Sequence, residues 1–268
     1  MNSKFEPWAK WFATWETRQQ AIPWGLAKGL TTAERATIAP SIAIFQLGES
    51  SDGRNLYGKA VAWAQAHDAP AYAAAMRDFI REENRHAAYL GRLMDQEGMP
   101  RIRHNGGDAF FRFIRHLAPL RLSHRTLLTA EFIAVPYYRA LHQASSSAVL
   151  KTICKQILAD EARHIAFQSL CIHTLSPGGR IRRWLEAGYA RIALELALDL
   201  VWWSHSELLR QGGYDFGHFR REAIEQLEWA AAMIAGRSPI PTPQQSGDFT
   251  RFKTTGQAQA LPSTTPQP

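Results

Sequence analysis

Glu82-Glu83-Asn84-Arg85-His86 and Asp160-Glu161-Ala162-Arg163-His164 are two copies of one pattern, an acid followed by Glu-x-Arg-His. On an α-helix, residues three apart share a face, with Cβ atoms about 5–6 Å apart. Glu83 with His86, and Glu161 with His164, can therefore each offer one oxygen and one nitrogen to a common ion. With 15 Glu, 24 Arg and 10 His in the chain, chance supplies roughly 0.05 copies of Glu-x-Arg-His. One copy would be a weak signal, and the competing reading is a pair of solvated helix faces; the repeat points to two metal ions.

Reading outward from the doublet assigns the helices. Phe5, Trp8, Trp11, Phe12 and Trp15 fall at helical spacing and end at the breaker Ile22-Pro23-Trp24-Gly25, so residues 1–32 form an aromatic leader expected to pack on the rest. Thr31 or Thr32 caps a first long helix that runs through Ile38, Ile42, Phe45, Glu49 and Leu56 to about residue 65. Asp68 is the expected N-cap of a second helix ending near Gln96, before Gly98 and Pro100. After a long link over 98–120, a third helix spans about 122–143 and a fourth runs from the turn Ser145-Ser146-Ser147 to about 175. Two further helices are expected at about 181–211 and 217–235. From Gly236 the composition turns to Pro, Gln, Thr, Ser and Gly, which cannot build a core and reads as a disordered tail, 236–268. The expected organisation is thus leader, helical di-metal domain over 33–235, and tail.

Two ions need more ligands than two Glu-x-x-His pairs. A four-helix carboxylate site adds one Glu from each of the other two helices. Counted from the turns, Glu131 on the third helix stands level with Glu161, and Glu49 on the first stands close to the level of Glu83; Glu34 is nearly three turns too far along. Glu131 interrupts the apolar run Leu127–Val135, where an unpaired carboxylate is expensive unless it meets a cation. Glu49 has a plainer alternative as an exposed residue in the weak segment Gly48–Gly53. The metal ligand set read from the sequence is Glu49, Glu83, His86, Glu131, Glu161 and His164. Four carboxylates and two imidazoles suit iron or manganese, and six side chains shared by two ions leave positions for water or dioxygen. Glu82 and Asp160 are candidates to orient the histidines, and Arg85 and Arg163 to neutralise those acids.

His124, Glu131, Tyr138 and His142 recur along one face of the third helix. Tyr138 is accordingly a candidate catalytic residue for redox or proton handling. Its alternatives are an amphipathic residue at a wetter end of the bundle, or a phase shift at Pro136 that favours Tyr137. Pro136 cannot donate to the carbonyl of Phe132, so a kink or widened turn is expected there.

The net charge of +7 and pI near 9.6 derive mainly from arginine and favour acidic partners. The densest basic stretch, 101–125, holds Arg101, Arg103, Arg112, Arg115, Arg121 and Arg125 against Asp108, although such runs are usually solvated faces. Cys154 and Cys171 have no CxxC spacing and read as small core residues of a reduced chain with no iron–sulfur centre. No secretory signal is read, and the apolar run Ile192 to Trp203 is broken by Glu195 and Asp199, so a cytoplasmic protein with no membrane span is expected.

The paired motifs resemble those of the ferritin-like di-iron oxidase and oxygenase superfamily, closest in wording to the soluble acyl-carrier-protein desaturases. Ile22-Pro23-Trp24 with Leu30-Thr31-Thr32-Ala33-Glu34 is loosely similar to ribonucleotide reductase small subunits and their ligand-binding oxidase relatives. The resemblance spans about 20–175 and implies an all-α, ferritin-like four-helix bundle with a long crossover between its second and third helices. It further implies that Glu49 and His86 serve one iron, Glu131 and His164 the other, with Glu83 and Glu161 bridging. Three departures set the chain apart. Ala134 and Val135 follow Glu131 where desaturases and bacterial monooxygenases carry a threonine; Ile157 replaces the extra histidine of arylamine oxygenases; Leu90 stands where a reductase small subunit carries its radical tyrosine.

The function expected is an oxygen-activating di-iron oxidoreductase of desaturase, hydroxylase or oxidase type, acting on an apolar organic, acyl or carrier-bound substrate. Its cofactors would be two Fe ions, with Mn or a mixed Fe/Mn pair as variants, and dioxygen as co-substrate. With no flavin, nicotinamide or iron–sulfur motif, electrons would come from an external donor protein of ferredoxin or reductase type. An acidic carrier protein on the 101–125 segment and a second copy of the chain are the other candidate partners. The competing functions are ferritin- or rubrerythrin-like iron handling or peroxide detoxification, and a non-enzymatic helical adaptor.

Overall fold

The leader's aromatic residues become one face of a helix. In a computed structural model describing residues 1–26, 29–50, 53–103, 118–175 and 179–246, α1 (Glu6–Ala13) buries Trp8 and Phe12, and Phe5 just before it is buried too. The described residues are all-α, with no strand. The helices that follow are α2 (Thr32–Glu49), α3 (Arg54–Ala66), α4 (Pro70–Gln96), α5 (Leu120–Ala144), α6 (Ala148–Thr174), α7 (Arg180–Gln211), α8 (Phe216–Ile234) and the single turn α9 (Pro243–Ser246). None is long and apolar enough to cross a membrane.

Local chemistry sets the helix ends. Thr31 Oγ1 accepts from the Glu34 N–H while the Glu34 carboxylate accepts from the Thr31 N–H at 2.7 Å, a reciprocal capping box that starts α2. Glu34 also accepts from the backbone N–H of Ser146, tying the start of α2 to the three-residue turn between α5 and α6. Ser147 caps α6 through the N–H of Leu150.

Four expectations need correction. The first long helix does not run to residue 65: it ends at Glu49 and restarts as α3, because Gly53 takes a left-handed φ of 61° that an α-helix cannot accommodate. Asp68 is not the N-cap of α4; it has φ 49°, and Ala69 occupies the cap without a side-chain bond, with Pro70 at N1. Of the two devices expected at Pro136, the widened turn does not occur: α5 continues as α-helix through that residue. The tail does not begin at Gly236, since α9 buries Pro243 and Ser246 and Ile240 packs on the core; residues 247–268 lie outside the described residues.

Two apolar clusters organise the interior. One joins α2, α5, α7 and α8 to Leu90, Leu93 and Met94 of α4 and to Ile153, Cys154 and Ile157 of α6. The other joins α1 and α3 to Tyr72, Met76 and Phe79 of α4 and to Phe167, Leu170 and Cys171 of α6. The two Glu-x-Arg-His motifs occupy the boundary between them, so the polar residues are walled at both ends by core. Both cysteines are free and buried.

The basic 101–125 segment is only partly a face. Arg121 and Arg125 are buried against Glu186 at 2.5 and 3.0 Å, and Arg101 pairs with Asp95. Arg112, Arg115 and Asp108 lie outside the described residues.

Candidate metal centre

Helices α2, α4, α5 and α6 each send an acid to one place. Glu49 is the last residue of α2, Glu83 and His86 lie one turn apart on α4, Glu131 is midway along α5, and Glu161 and His164 repeat the one-turn spacing on α6. The structure brings all six together in two groups, Glu49 with His86 and Glu161, and Glu83 with Glu131 and His164. Within each group the candidate ligand atoms lie within 4.8 Å of one another.

Glu83 and Glu161 span the two groups. Glu161 places Oε1 at 3.9 Å from His86 Nδ1 and Oε2 at 3.6 Å from His164 Nδ1. Glu83 Oε1 lies 2.7 Å from His164 Nδ1, while the same carboxyl hydrogen-bonds Glu49. The two imidazole rings are 5.6 Å apart.

The histidines are oriented from behind by the other motif's leading acid. His86 Nε2 meets Asp160 Oδ2 at 3.1 Å and His164 Nε2 meets Glu82 Oε2 at 3.1 Å, so each helix holds the histidine of its neighbour. A carboxylate can only accept, so Nε2 carries a proton in each ring, and Nδ1, once free of its own proton, would point a lone pair into the centre. Arg85 bridges the outer acids, donating to Glu82 at 2.8 Å and Asp160 at 3.0 Å, and its guanidinium stacks over Trp15. Arg163 adds a longer contact of 3.4 Å to Asp160 and lies over Trp11. Gln156, one turn before Asp160, donates to it at 3.0 Å; the i,i+4 rule could have found this residue in the sequence.

Charge is crowded and under-compensated. Burial, followed by the neighbouring Glu83 carboxylate, raises Glu49 well above the usual carboxylate range. Burial and Glu131 do the same to Glu161. Burial would also raise Glu83, but His164 beside it brings it down to about 2. His164 responds in kind: burial opposes its charge, yet Glu83 and the other surrounding carboxyls hold it well above the usual histidine range. Glu83 Oε1, both oxygens of Glu161, and Nδ1 of His86 and of His164 are buried without a hydrogen-bond partner. Orphaned oxygens and nitrogens that face one another are the donor set a divalent cation satisfies.

Tyr138, the candidate catalytic residue, is fully buried, which excludes a wetter end of the bundle, and donates its hydroxyl to Glu49 Oε1 at 2.8 Å. Burial and then Glu49 keep its own proton firmly bound. Tyr137 points elsewhere, to Ser41 at 3.0 Å, and Ser41 continues to His205 Nδ1 at 2.8 Å. His124 is remote from the ligand groups in its bonding: it meets Tyr72 at 2.7 Å and Gln168. His142 is half-buried and joins neither ligand group. Phe12, from the leader's aromatic stripe, and Phe79, which no motif singled out, cover His164, with ring centroids at 6.3 and 4.8 Å.

A separate cavity of about 460 Å³ is lined by α5, α7 and α8. Leu128 and Phe132, flanking Glu131 in sequence, line it with Leu227 and Ile234, and Arg121, Arg125, Arg191 and Arg237 add charge.

No protein-family model matches the chain, and comparison with curated proteins and with solved structures likewise gives no match.

Proposed function

We propose that the chain is a non-haem di-iron oxidoreductase built on a ferritin-like four-helix bundle, with α2, α4, α5 and α6 as the four helices. One observation carries this reading: two histidines have their Nε2 atoms held by outer acids, leaving both Nδ1 atoms and three carboxylate oxygens orphaned and facing one another. Four carboxylates in one buried place are costly as they stand. Two divalent ions cancel their charge in full.

Glu49 and His86 would hold one ion and Glu131 and His164 the other, with Glu83 and Glu161 reaching both. Bound there, a di-iron pair supplies redox chemistry with dioxygen. Hydroxylation of a C–H bond consumes dioxygen, two electrons and two protons and releases one water; desaturation consumes the same and releases two. An external donor protein provides the electrons. The protein's own part is to fix the ligands through Glu82, Asp160 and Arg85, to exclude water with Phe12 and Phe79, and to hold a proton on Tyr138 against Glu49. The cavity sharing α5 with the centre, lined by Leu128, Phe132, Leu227 and Ile234 with Arg237 and Glu228 among its charged residues, suits an apolar organic substrate.

Anaerobic Fe(II) titration followed by metal analysis tests the centre. Two iron per chain are expected, falling to one or none in Glu83→Ala and Glu161→Ala with helical circular dichroism retained. A folded wild-type chain that takes up no iron would sink the reading. Turnover of peroxide with no organic substrate would instead favour the detoxification function.

A further inference from the structure

Helix α7 is apolar on two opposite faces. Leu194, Leu198, Leu208 and Leu209 are buried against the rest of the molecule, whereas Ile181, Trp184, Ile192, Leu196, Leu200 and Trp203 are exposed by 40% to 82%. A helix apolar all round is ordinarily covered all round, and a monomer rarely leaves so long an apolar stripe in water.

Seven positions of the stripe read the same in both directions; Leu185 and Tyr189, also exposed, lie beside it, and their counterparts across Ile192 are Asp199 and Glu195. Positions 181, 184, 188, 192, 196, 200 and 203 advance by 3, 4, 4, 4, 4 and 3, close to the period of a straight α-helix, and are symmetric about Ile192. We propose that α7 is a homodimer seam, pairing antiparallel with α7 of a second copy about a twofold axis at Ile192. In that register Ile181 meets Trp203, Trp184 meets Leu200, and Gly188 meets Leu196, each contact occurring twice as twofold symmetry requires. Gly188 has open space where a Cβ would stand, so it supplies a hole for the Leu196 knob.

Charge selects the direction. Arg182 and Asp199 are both exposed and lie toward opposite ends of the stripe. An antiparallel pair brings Arg182 of one copy within a turn of Asp199 of the other, whereas a parallel pair stacks Arg182 on Arg182 and Asp199 on Asp199. Both also have neighbours in their own chain, Arg182 meeting Glu186 at 3.1 Å and Asp199 acting on Arg220, so the pair across the axis adds to these contacts; Glu186 also holds Arg121 and Arg125, and Glu195 holds Arg191 and Arg220. Two tryptophans and the aliphatic residues between them expose on the order of 1,000 Å² per copy, against roughly 800 Å² per partner in a standard stable interface. The inner face of α7 packs on α5 and α2, so the dimer braces the helices that carry Glu131 and Glu49 from outside.

Sedimentation equilibrium of the full chain at micromolar concentration is the test. A dimer is expected for the wild type and a monomer of unchanged helicity for Ile192→Glu, which sets two carboxylates face to face on the axis. Asp199→Arg should weaken the dimer and Arg182→Glu in the same chain should restore it. Cross-linking fixes the direction: Ile192→Cys joins to itself on oxidation, while Trp184→Cys joins only to Leu200→Cys when the two variants are mixed. Cys154 and Cys171 are fully buried and stay out of this reaction. A monomeric wild type, a dimer untouched by Ile192→Glu, or self-joining of Trp184→Cys would each overturn the proposal. Binding of a monomer to phospholipid vesicles would replace it with a membrane-facing role.

Discussion

Glu82 and Asp160 illustrate how a single residue acts through another. Each leaves the ligand groups themselves alone and grips the far nitrogen of a histidine on the neighbouring helix, at 3.1 Å in both cases. Removing that charge frees the ring to rotate and lowers its basicity. Glu82→Gln and Asp160→Asn should each lower Fe(II) affinity by about 10–100-fold, measured by chelator competition, with the fold unchanged. His124 gives a separate acid-sensitive term. It is buried and accepts from Tyr72 while donating to Gln168, and burial holds its pKa down to about 4. A depressed histidine contributes stability that is complete above its unfolded pKa near 6.5 and is lost as pH falls through the folded value. The His124 contribution to the unfolding free energy should therefore fall between pH about 6.5 and 4, by on the order of 3 kcal/mol. His124→Asn should flatten that part of the profile, and an unchanged slope would remove His124 from the account.

At the scale of the element, the break between α2 and α3 places a candidate ligand. Glu49 is the last helical residue, and the left-handed Gly53 redirects the chain immediately afterwards. A Cβ at Gly53 would stand 2.5 Å from Ile80 Cγ2 besides facing the φ penalty. Gly53→Ala should cost about 1–2 kcal/mol or more in chemical denaturation and weaken iron binding through Glu49. Substitution of Gly48, which has no atom within 4 Å of its would-be Cβ, is the control. The apolar periodicity of 31–65 is continuous across this break, which is why the sequence reads as one helix despite the weak segment Gly48–Gly53: helical phase survives a short interruption.

Across the whole molecule, the leader and the residues after α8 close over α6. Phe12 packs at 5.1 Å on Phe167 and 6.3 Å from His164, and Arg163 donates to the carbonyl of Pro243. Phe12→Ala should destabilise the protein by about 3–5 kcal/mol in thermal or urea melts. It should also admit water to His164 and lower metal affinity, whereas truncating the exposed Leu26 should do neither. Composition alone marked 236–246 as coil; Pro243 and Ser246 nevertheless find a groove, because a short segment can be held by its neighbours without having a core of its own.

The repeated motif determined a great deal unaided. The helical period and the one-turn spacing of Glu and His require each pair to share a face, and position relative to the turns puts Glu131 and Glu49 near the same level. Tertiary structure alone decided which histidine answers to which acid. Helical spacing relates residues within one helix, while the grip of Glu82 on His164 and of Asp160 on His86 runs between α4 and α6 and depends on how those helices lie together. It also decided that Tyr138, rather than Tyr137, reaches Glu49, and that one face of α7 is left uncovered, because burial is a property of the assembled molecule and periodicity only of the chain.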